Sequence, residues 1–270
     1  MAADVFYAMG SSHHVCQDFA VANGDFVILS DGCSSALDSD WGARLLVQAC
    51  KGVMPRLMDF TLLKDTVLKT ARLYTTVLGL HQDCLAATLL CAYKTDNNIN
   101  VFVTGDGYVI AHNKKTDTLS VFAHTFDSGA PYYLYYSLDE ALEKSYYEAF
   151  GLRPFFVDNA FIGKEVSTFS TKMSLEESKF VSYSFPMDEY DMVAITSDGL
   201  KSFVQQTKTN TSIQNRSIGY LEVLKELIDF KNATGQFVHR RCQRVMREFG
   251  MKGIKHTDDF SMGVIHDDPI

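Results

Sequence analysis

Residues 26–45 read FVILSDGCSSALDSDWGARL, and the reading of that stretch decides the fold. Phe26-Val27-Ile28-Leu29 is a continuous apolar run of strand length, which predicts a strand buried on both faces. It ends at Ser30-Asp31-Gly32. A carboxylate therefore stands where a buried strand stops, with a glycine behind it that lets backbone approach a ligand closely. Ser39 reads as the N-cap of a helix over about residues 40–54, stopped near Pro55 and carrying Ala43, Leu45, Leu46, Val47, Ala49 and Cys50. Two later stretches repeat the design of strand, aspartate and glycine: Val101-Phe102-Val103-Thr104-Gly105-Asp106-Gly107 and Val193-Ala194-Ile195-Thr196-Ser197-Asp198-Gly199. Taken alone, Asp106-Gly107 reads first as a mirror-image hairpin turn, which favours that dipeptide.

Upstream, residues 5–12 form a first predicted strand running into His13-His14-Val15-Cys16-Gln17-Asp18. The paired histidines are either surface residues at a strand end or groups for binding phosphate or metal. Asn23-Gly24 predicts a hairpin that pairs this first strand with residues 26–29 and brings Asp18 near Asp31. Downstream, a second helix is expected over about residues 61–80, then strands over 84–93, 99–104, 108–112 and 119–124. Residues 127–186 are the least patterned and predict a flap or insertion. Its tyrosines, at 132, 133, 135, 136, 146 and 147, either pack it onto the core or form a recognition surface. Short strands are expected there over 155–161 and 166–169, with 180–185 rejoining the main sheet. Residues 191–196 form a further strand, 200–204 a short helix and 205–216 a polar linker. Two amphipathic helices follow, over 220–230 and 237–249, the second with Arg240, Arg241, Arg244 and Arg247 largely opposite its apolar face. Residues 260–265 form the last strand. No low-complexity tract divides the chain, so residues 1–270 read as one domain with its flap.

The chain is 46% hydrophobic, with 19 Phe and 13 Tyr, enough for a sizeable core. A net charge of -8 disfavours nucleic acid as a partner, because phosphate neutralisation needs a basic face. The six cysteines show no CxxC pair and no zinc spacing, which fits reduced thiols in a cytoplasmic protein. No apolar run approaches the roughly 20 residues of a membrane span.

Asp18, Asp31, Asp106, Asp198 and either Asp258 or Asp259 all fall at ends of predicted strands. Aspartates gathered at one end of a sheet repel, and their pKa values rise unless cations sit between them. Mg2+ and Mn2+, hard ions that take oxygen ligands, suit such a set. Phosphate-ester hydrolysis follows from a site of that kind, as do nuclease and pyrophosphatase chemistry.

The order Cys16-Gln17-Asp18, Ser30-Asp31-Gly32 with Ser39 and Gly42-Ala43-Arg44, Gly105-Asp106-Gly107, Thr196-Ser197-Asp198-Gly199 and Asp258-Asp259-Phe260-Ser261 resembles the type-2C family of metal-dependent serine/threonine protein phosphatases. Within that family it looks most similar to a bacterial branch whose first motif reads Cys-Gln-Asp. The resemblance implies an α+β fold, an αββα sandwich of two central antiparallel β-sheets flanked by helices. It implies hydrolysis of phosphoserine and phosphothreonine by a water activated at a binuclear Mn2+ or Mg2+ centre. Asp31 would bridge the ions, Gly32 would offer its carbonyl, and Asp198 and Asp258 would ligate the first ion. Asp18 would hold metal-bound water, and Asp106 would serve a third, looser site. The partners implied are a phosphorylated protein substrate in a signalling role and a cognate serine/threonine kinase, with no nucleic acid and no membrane.

Three positions depart from the family pattern. The arginine that grips substrate phosphate is absent from the first motif, where His13 or His14 stands near its place. Gln17 replaces an acidic ligand, and Cys33 follows Gly32 where a histidine is frequent. These departures motivate a second reading, a catalytically weak phosphatase-like module that binds a phosphoprotein or kinase. A third leaves the aspartates as turn formers only.

Overall fold

A strand that is apolar on both faces needs a packed layer on each side, and the chain supplies both. The structure, a computed structural model, describes residues 2–54, 60–151, 155–208 and 213–267. The first half contains β1 (Ala2–Ala8), β2 (Asp18–Asn23), β3 (Phe26–Asp31), α1 (Ser39–Val53), α2 (Phe60–Leu78), β4 (Leu89–Lys94), β5 (Asn98–Thr104), β6 (Gly107–Asn113) and β7 (Thr118–Phe126). Next come α3 (Glu140–Phe150), β8 (Phe155–Ile162), β9 (Val166–Met173), α4 (Leu175–Ser178), β10 (Val181–Pro186) and β11 (Tyr190–Thr196). The last part contains β12 (Phe203–Lys208), β13 (Ile213–Ser217), α5 (Tyr220–Ile228), α6 (Phe237–Met251), β14 (Ile254–His256) and β15 (Phe260–His266).

The strands form a seven-stranded sheet, β1-β15-β11-β6-β7-β8-β9, and a five-stranded sheet, β10-β5-β4-β3-β2, antiparallel throughout. Alternation along each strand feeds two cores. In β3, Phe26 and Ile28 pack with α1 and α2, whereas Val27 and Leu29 meet Val109, Val193, Ile195 and Ile265 of the opposite sheet. In β11, Met192 and Ala194 face α5 and α6 while Val193 and Ile195 point inward. The result is the expected α+β arrangement of helix, sheet, sheet and helix layers.

Several local expectations are corrected. β1 pairs with β15 and not with residues 26–29, because a separate strand, β2, intervenes and takes the Asn23-Gly24 hairpin for itself. The Gly105-Asp106-Gly107 segment is not a hairpin. β5 and β6 belong to different sheets, and positive φ at Gly105 (87°) and Gly107 (137°) carries the chain between them. Ser39 is the first residue of α1 and not its cap; Asp38 holds that place at φ 55° without a capping side-chain bond. Cys84 and Leu85 lie in a 3-10 turn, Gln82–Leu85, ahead of β4. The short helix at 200–204 is replaced by a 3-10 turn, Asp198–Lys201, followed by β12. The expected polar linker contributes β12 and β13 to a third sheet, β13-β12-β14. Pro55 and residues 209–212 lie outside the described residues.

Within 127–186, β8 and β9 extend the seven-stranded sheet and β10 joins the edge of the five-stranded one. The rest of the early part, with a 3-10 turn at Leu134–Leu138 and helix α3, packs its tyrosines inward: Tyr132, Tyr133, Tyr135 and Tyr146 are buried.

Candidate functional site

Four chain segments far apart in sequence deliver carboxylates to one cleft of about 360 Å³. Asp31 ends β3, Asp106 sits in the crossing from β5 to β6, Asp198 follows β11, and Asp258 precedes β15; all four line the cleft, as do His13 and Gly32. Asp18 stands behind them. It lies opposite Asp31 in the β2–β3 register and is fully buried.

Hydrogen bonds fix this arrangement. The Thr88 hydroxyl accepts from the Asp31 backbone N–H at 2.9 Å, and Thr88 N–H donates to the Asp31 carbonyl at 2.8 Å. The Ser197 hydroxyl donates to Asp18 Oδ2 at 2.7 Å and accepts from Ser261 N–H at 3.0 Å. Asp18 Oδ1 is buried and has no hydrogen-bond partner among the described residues. Two glycines permit the close approach. A Cβ on Gly199 would overlap the Asp259 carbonyl oxygen, and one on Gly32 would lie 2.6 Å from the Ser39 carbonyl oxygen.

Electrostatics follow from crowding like charges in a poorly solvated place. Burial, against hydrogen bonding from Ser197, pushes Asp18 up to about 7. Burial, then the charge of Asp198, pushes Asp106 up to about 7. Asp31 is raised well above the usual carboxylate range, first by burial and then by Asp18, Asp198 and Asp106. Asp258 is raised by burial and Asp198.

The structure separates two adjacent aspartates that the sequence left as alternatives. Asp258 faces the cleft. Asp259 is buried and tied to the first motif, accepting from Gly10 N–H at 2.7 Å and Gln17 N–H at 2.6 Å. The two histidines also part company. His13 lies 3.3 Å from Asp258 (Nε2 to Oδ1) and 3.0 Å from Asp259 (Nδ1 to Oδ2). Burial lowers its pKa, but these carboxylates outweigh burial and raise it. His14 is exposed and is not part of the cleft wall.

The departures from the family pattern have definite partners. Gln17 lines the cleft and donates from Nε2 to Ser39 Oγ at 2.7 Å. Cys33 also lines it, with Sγ 3.1 Å from Ser35 Oγ. Arg44 turns away, bonding the Asp40 carbonyl at 2.7 Å and lying over the Phe19 ring. Lys201 Nζ sits 2.7 Å from Asp198 Oδ2. Sequence reasoning missed Thr88, Tyr133 and Tyr136 as cleft residues. The tyrosine cluster was the available signal; its packing and its place in the cleft wall turn out to coexist.

The donor set fits a hard divalent cation: it is all oxygen, net negative, and includes an orphaned buried carboxylate oxygen. The carboxylates are not drawn into a closed cage, since no group of three or more His, Cys, Asp or Glu among the described residues has metal-holding geometry. They stand open to the cleft, where burial first and then neighbouring carboxylates raise the pKa of Asp31, Asp106 and Asp258.

The protein phosphatase 2C family profile matches residues 9–130. No curated protein matches the chain. Among solved structures, a bacterial serine phosphatase is similar at 13% identity over 100% of this chain and 99% of that one, with a TM-score of 0.54. Stp1 from Staphylococcus aureus, a serine/threonine phosphatase, is similar at 14% identity, covering 99% and 96%, with a TM-score of 0.53. The catalytic domain of the serine/threonine protein phosphatase PstP, solved in complex with two manganese ions, is similar at 14% identity, covering 97% and 96%, with a TM-score of 0.51. The chain therefore has the protein phosphatase 2C fold.

Proposed function

We propose that this chain is a metal-dependent serine/threonine protein phosphatase of the bacterial branch whose first motif reads Cys-Gln-Asp, acting on phosphorylated proteins in the cytoplasm. One observation carries the reading: Asp31, Asp106, Asp198 and Asp258 converge on a single cleft with buried Asp18 behind Asp31. The six free cysteines support a reducing setting.

In this reading Asp31, Asp198 and Asp258 hold Mn2+ or Mg2+, Gly32 brings backbone close, and Asp106 holds a further, looser ion. When bound, such ions neutralise phosphate charge and acidify water for attack at phosphorus. The chain's own residues do the rest. Asp18, locked by Ser197, orients Asp31 across the β2–β3 pair. His13 places its imidazole beside Asp258 in the cleft wall. Tyr133 and Tyr136 exclude water from one wall, and Cys33 with Ser35 offers polar contacts to an entering phosphate. Lys201, paired with Asp198, would compete with an ion for that carboxylate.

The test is Mn2+-dependent hydrolysis of an aryl phosphate and of phosphoserine peptides, lost in Asp31→Ala and Asp198→Ala. A folded wild-type protein that turns over neither would sink the proposal. The Lys201–Asp198 contact and the outward turn of Arg44 favour the second reading, a weak phosphatase-like module that captures a phosphoprotein or cognate kinase. Capture without turnover would select it.

A further inference from the structure

Helix α6 carries a charge pattern that the cleft does not explain. Its apolar face, Phe237, Val238, Cys242, Val245 and Phe249, is buried against the seven-stranded sheet and α5. On the opposite face Arg240, Arg244, Arg247 and Met251 follow one another at helical spacing and are all exposed. Glu248 is the helix's one acidic residue. Among the described residues no carboxylate pairs with Arg240, Arg244, Arg247 or Lys231, whereas Arg241 is neutralised by Glu226 and Asp229. Arg240 is held by neutral groups, Asn232 Oδ1 at 2.9 Å and the Thr234 carbonyl at 2.8 Å, so its charge is fixed in place but uncompensated. It borders a hollow of about 110 Å³ shared with Lys231, Arg244 and the Arg241–Asp229 pair, where three uncompensated cations leave room for one anionic group. In a chain of net charge -8 this is a segregated basic track.

The track has a direction. At the N-terminal end of α6, His239 N–H donates to Asp4 Oδ2 near the start of β1. The other end of β1 leads to Gly10, which is bonded to Asp259, the buried neighbour of the cleft residue Asp258. The C-terminal end of α6 continues through exposed Lys252 and Lys255 and through β14 to Asp258. Exposed basic groups therefore follow one another along the chain from Arg240 to Lys255, three residues before the cleft residue Asp258.

We infer that this face of α6 docks an acidic segment of the phosphoprotein substrate, with one carboxylate or phosphate seated beside Arg240 and Arg244. The inference rests on the phosphatase reading. Rim charges of this kind steer and orient an oppositely charged partner more than they tighten it.

The experiment measures fluorescence anisotropy of a labelled, Glu-rich, unphosphorylated 15-residue peptide, with the wild type and with an Arg240→Gln/Arg244→Gln/Arg247→Gln variant checked for an unchanged melting curve. The wild type is expected to bind, more weakly as salt rises, and the variant to lose about tenfold in affinity. A second arm compares kcat/KM for one phosphopeptide with and without the acidic segment. The wild type is expected to prefer the acidic form by about tenfold, and the variant to lose that preference. Absent binding, or binding equal in the variant, overturns the docking inference. Tighter binding of a single-stranded oligonucleotide or an anionic vesicle than of the peptide overturns it too. Binding needs no turnover, so a chain that binds the peptide but hydrolyses nothing defeats the phosphatase reading and leaves the docking surface standing.

Discussion

Asp18 and Asp31 face each other across the β2–β3 ladder, a buried carboxylate in direct register with one that lines the cleft, and Ser197 locks the buried one. Like charges placed so close persist only if a proton or a cation stands between them. Asp18→Asn keeps a partner for Ser197 and removes one charge. Its melting temperature in EDTA is expected to exceed that of the wild type, while its response to Mn2+ shrinks. Differential scanning fluorimetry with and without chelator checks both.

Cation binding to the folded state alone adds stability by mass action, about 2.7 kcal/mol at a hundredfold excess over Kd. The wild type is expected to gain several degrees in melting temperature as MnCl2 is titrated. Asp31→Asn/Asp198→Asn is expected to gain none, because two of the four carboxylates that line the cleft are gone.

Gly42 lies in α1 where a Cβ would overlap the Cys84 carbonyl oxygen, a backbone atom that cannot swing aside. Gly42→Ala is expected to force the 3-10 turn off the helix at a cost of about 1–3 kcal/mol. A lowered urea midpoint with unchanged m-value is the outcome to look for.

His112 lies between two carboxylates, with Nδ1 2.6 Å from Asp191 and Nε2 3.2 Å from Asp117. Burial lowers its pKa, but the two partners outweigh burial and raise it above the unfolded value. The stability this contributes is fully present below about pH 6.5 and fades as pH rises through the folded value. His112→Gln is therefore expected to be more destabilising at pH 5.5 than at pH 9. Urea titrations of both proteins at the two pH values decide it.

Lys179 ties down the tyrosine-rich segment, lying 2.7 Å from both Glu143 and Glu176 and over the rings of Tyr132 and Tyr147. Lys179→Met leaves Glu143 without its cation. Cleavage by protease within 127–151 is expected to quicken about fivefold, the factor that roughly 1 kcal/mol of easier local opening supplies. Mass spectrometry of the early fragments locates the cut.

Layering and strand ends were written locally. The runs at 26–29 and 193–196 announce strands buried on both faces, because alternate side chains must enter alternate layers, and the aspartates that end them are read off the same stretches. Asp31 could be picked out, as could Asp106 and Asp198, since each terminates an apolar run before a glycine. What sequence spacing does not carry is partnership between distant residues. The placing of β1 beside β15, the crossing at Asp106 from one sheet to the other, and the division of labour between Asp258 and Asp259 each depend on such contacts. The same holds for Tyr133 and Tyr136, which reach the cleft only because the 3-10 turn that follows the one and contains the other packs against the helical layer. Chain order and polarity thus determined which carboxylates were available. Tertiary packing decided which of them meet, because a site of this kind is assembled at the end of two sheets whose strands come from opposite ends of the chain.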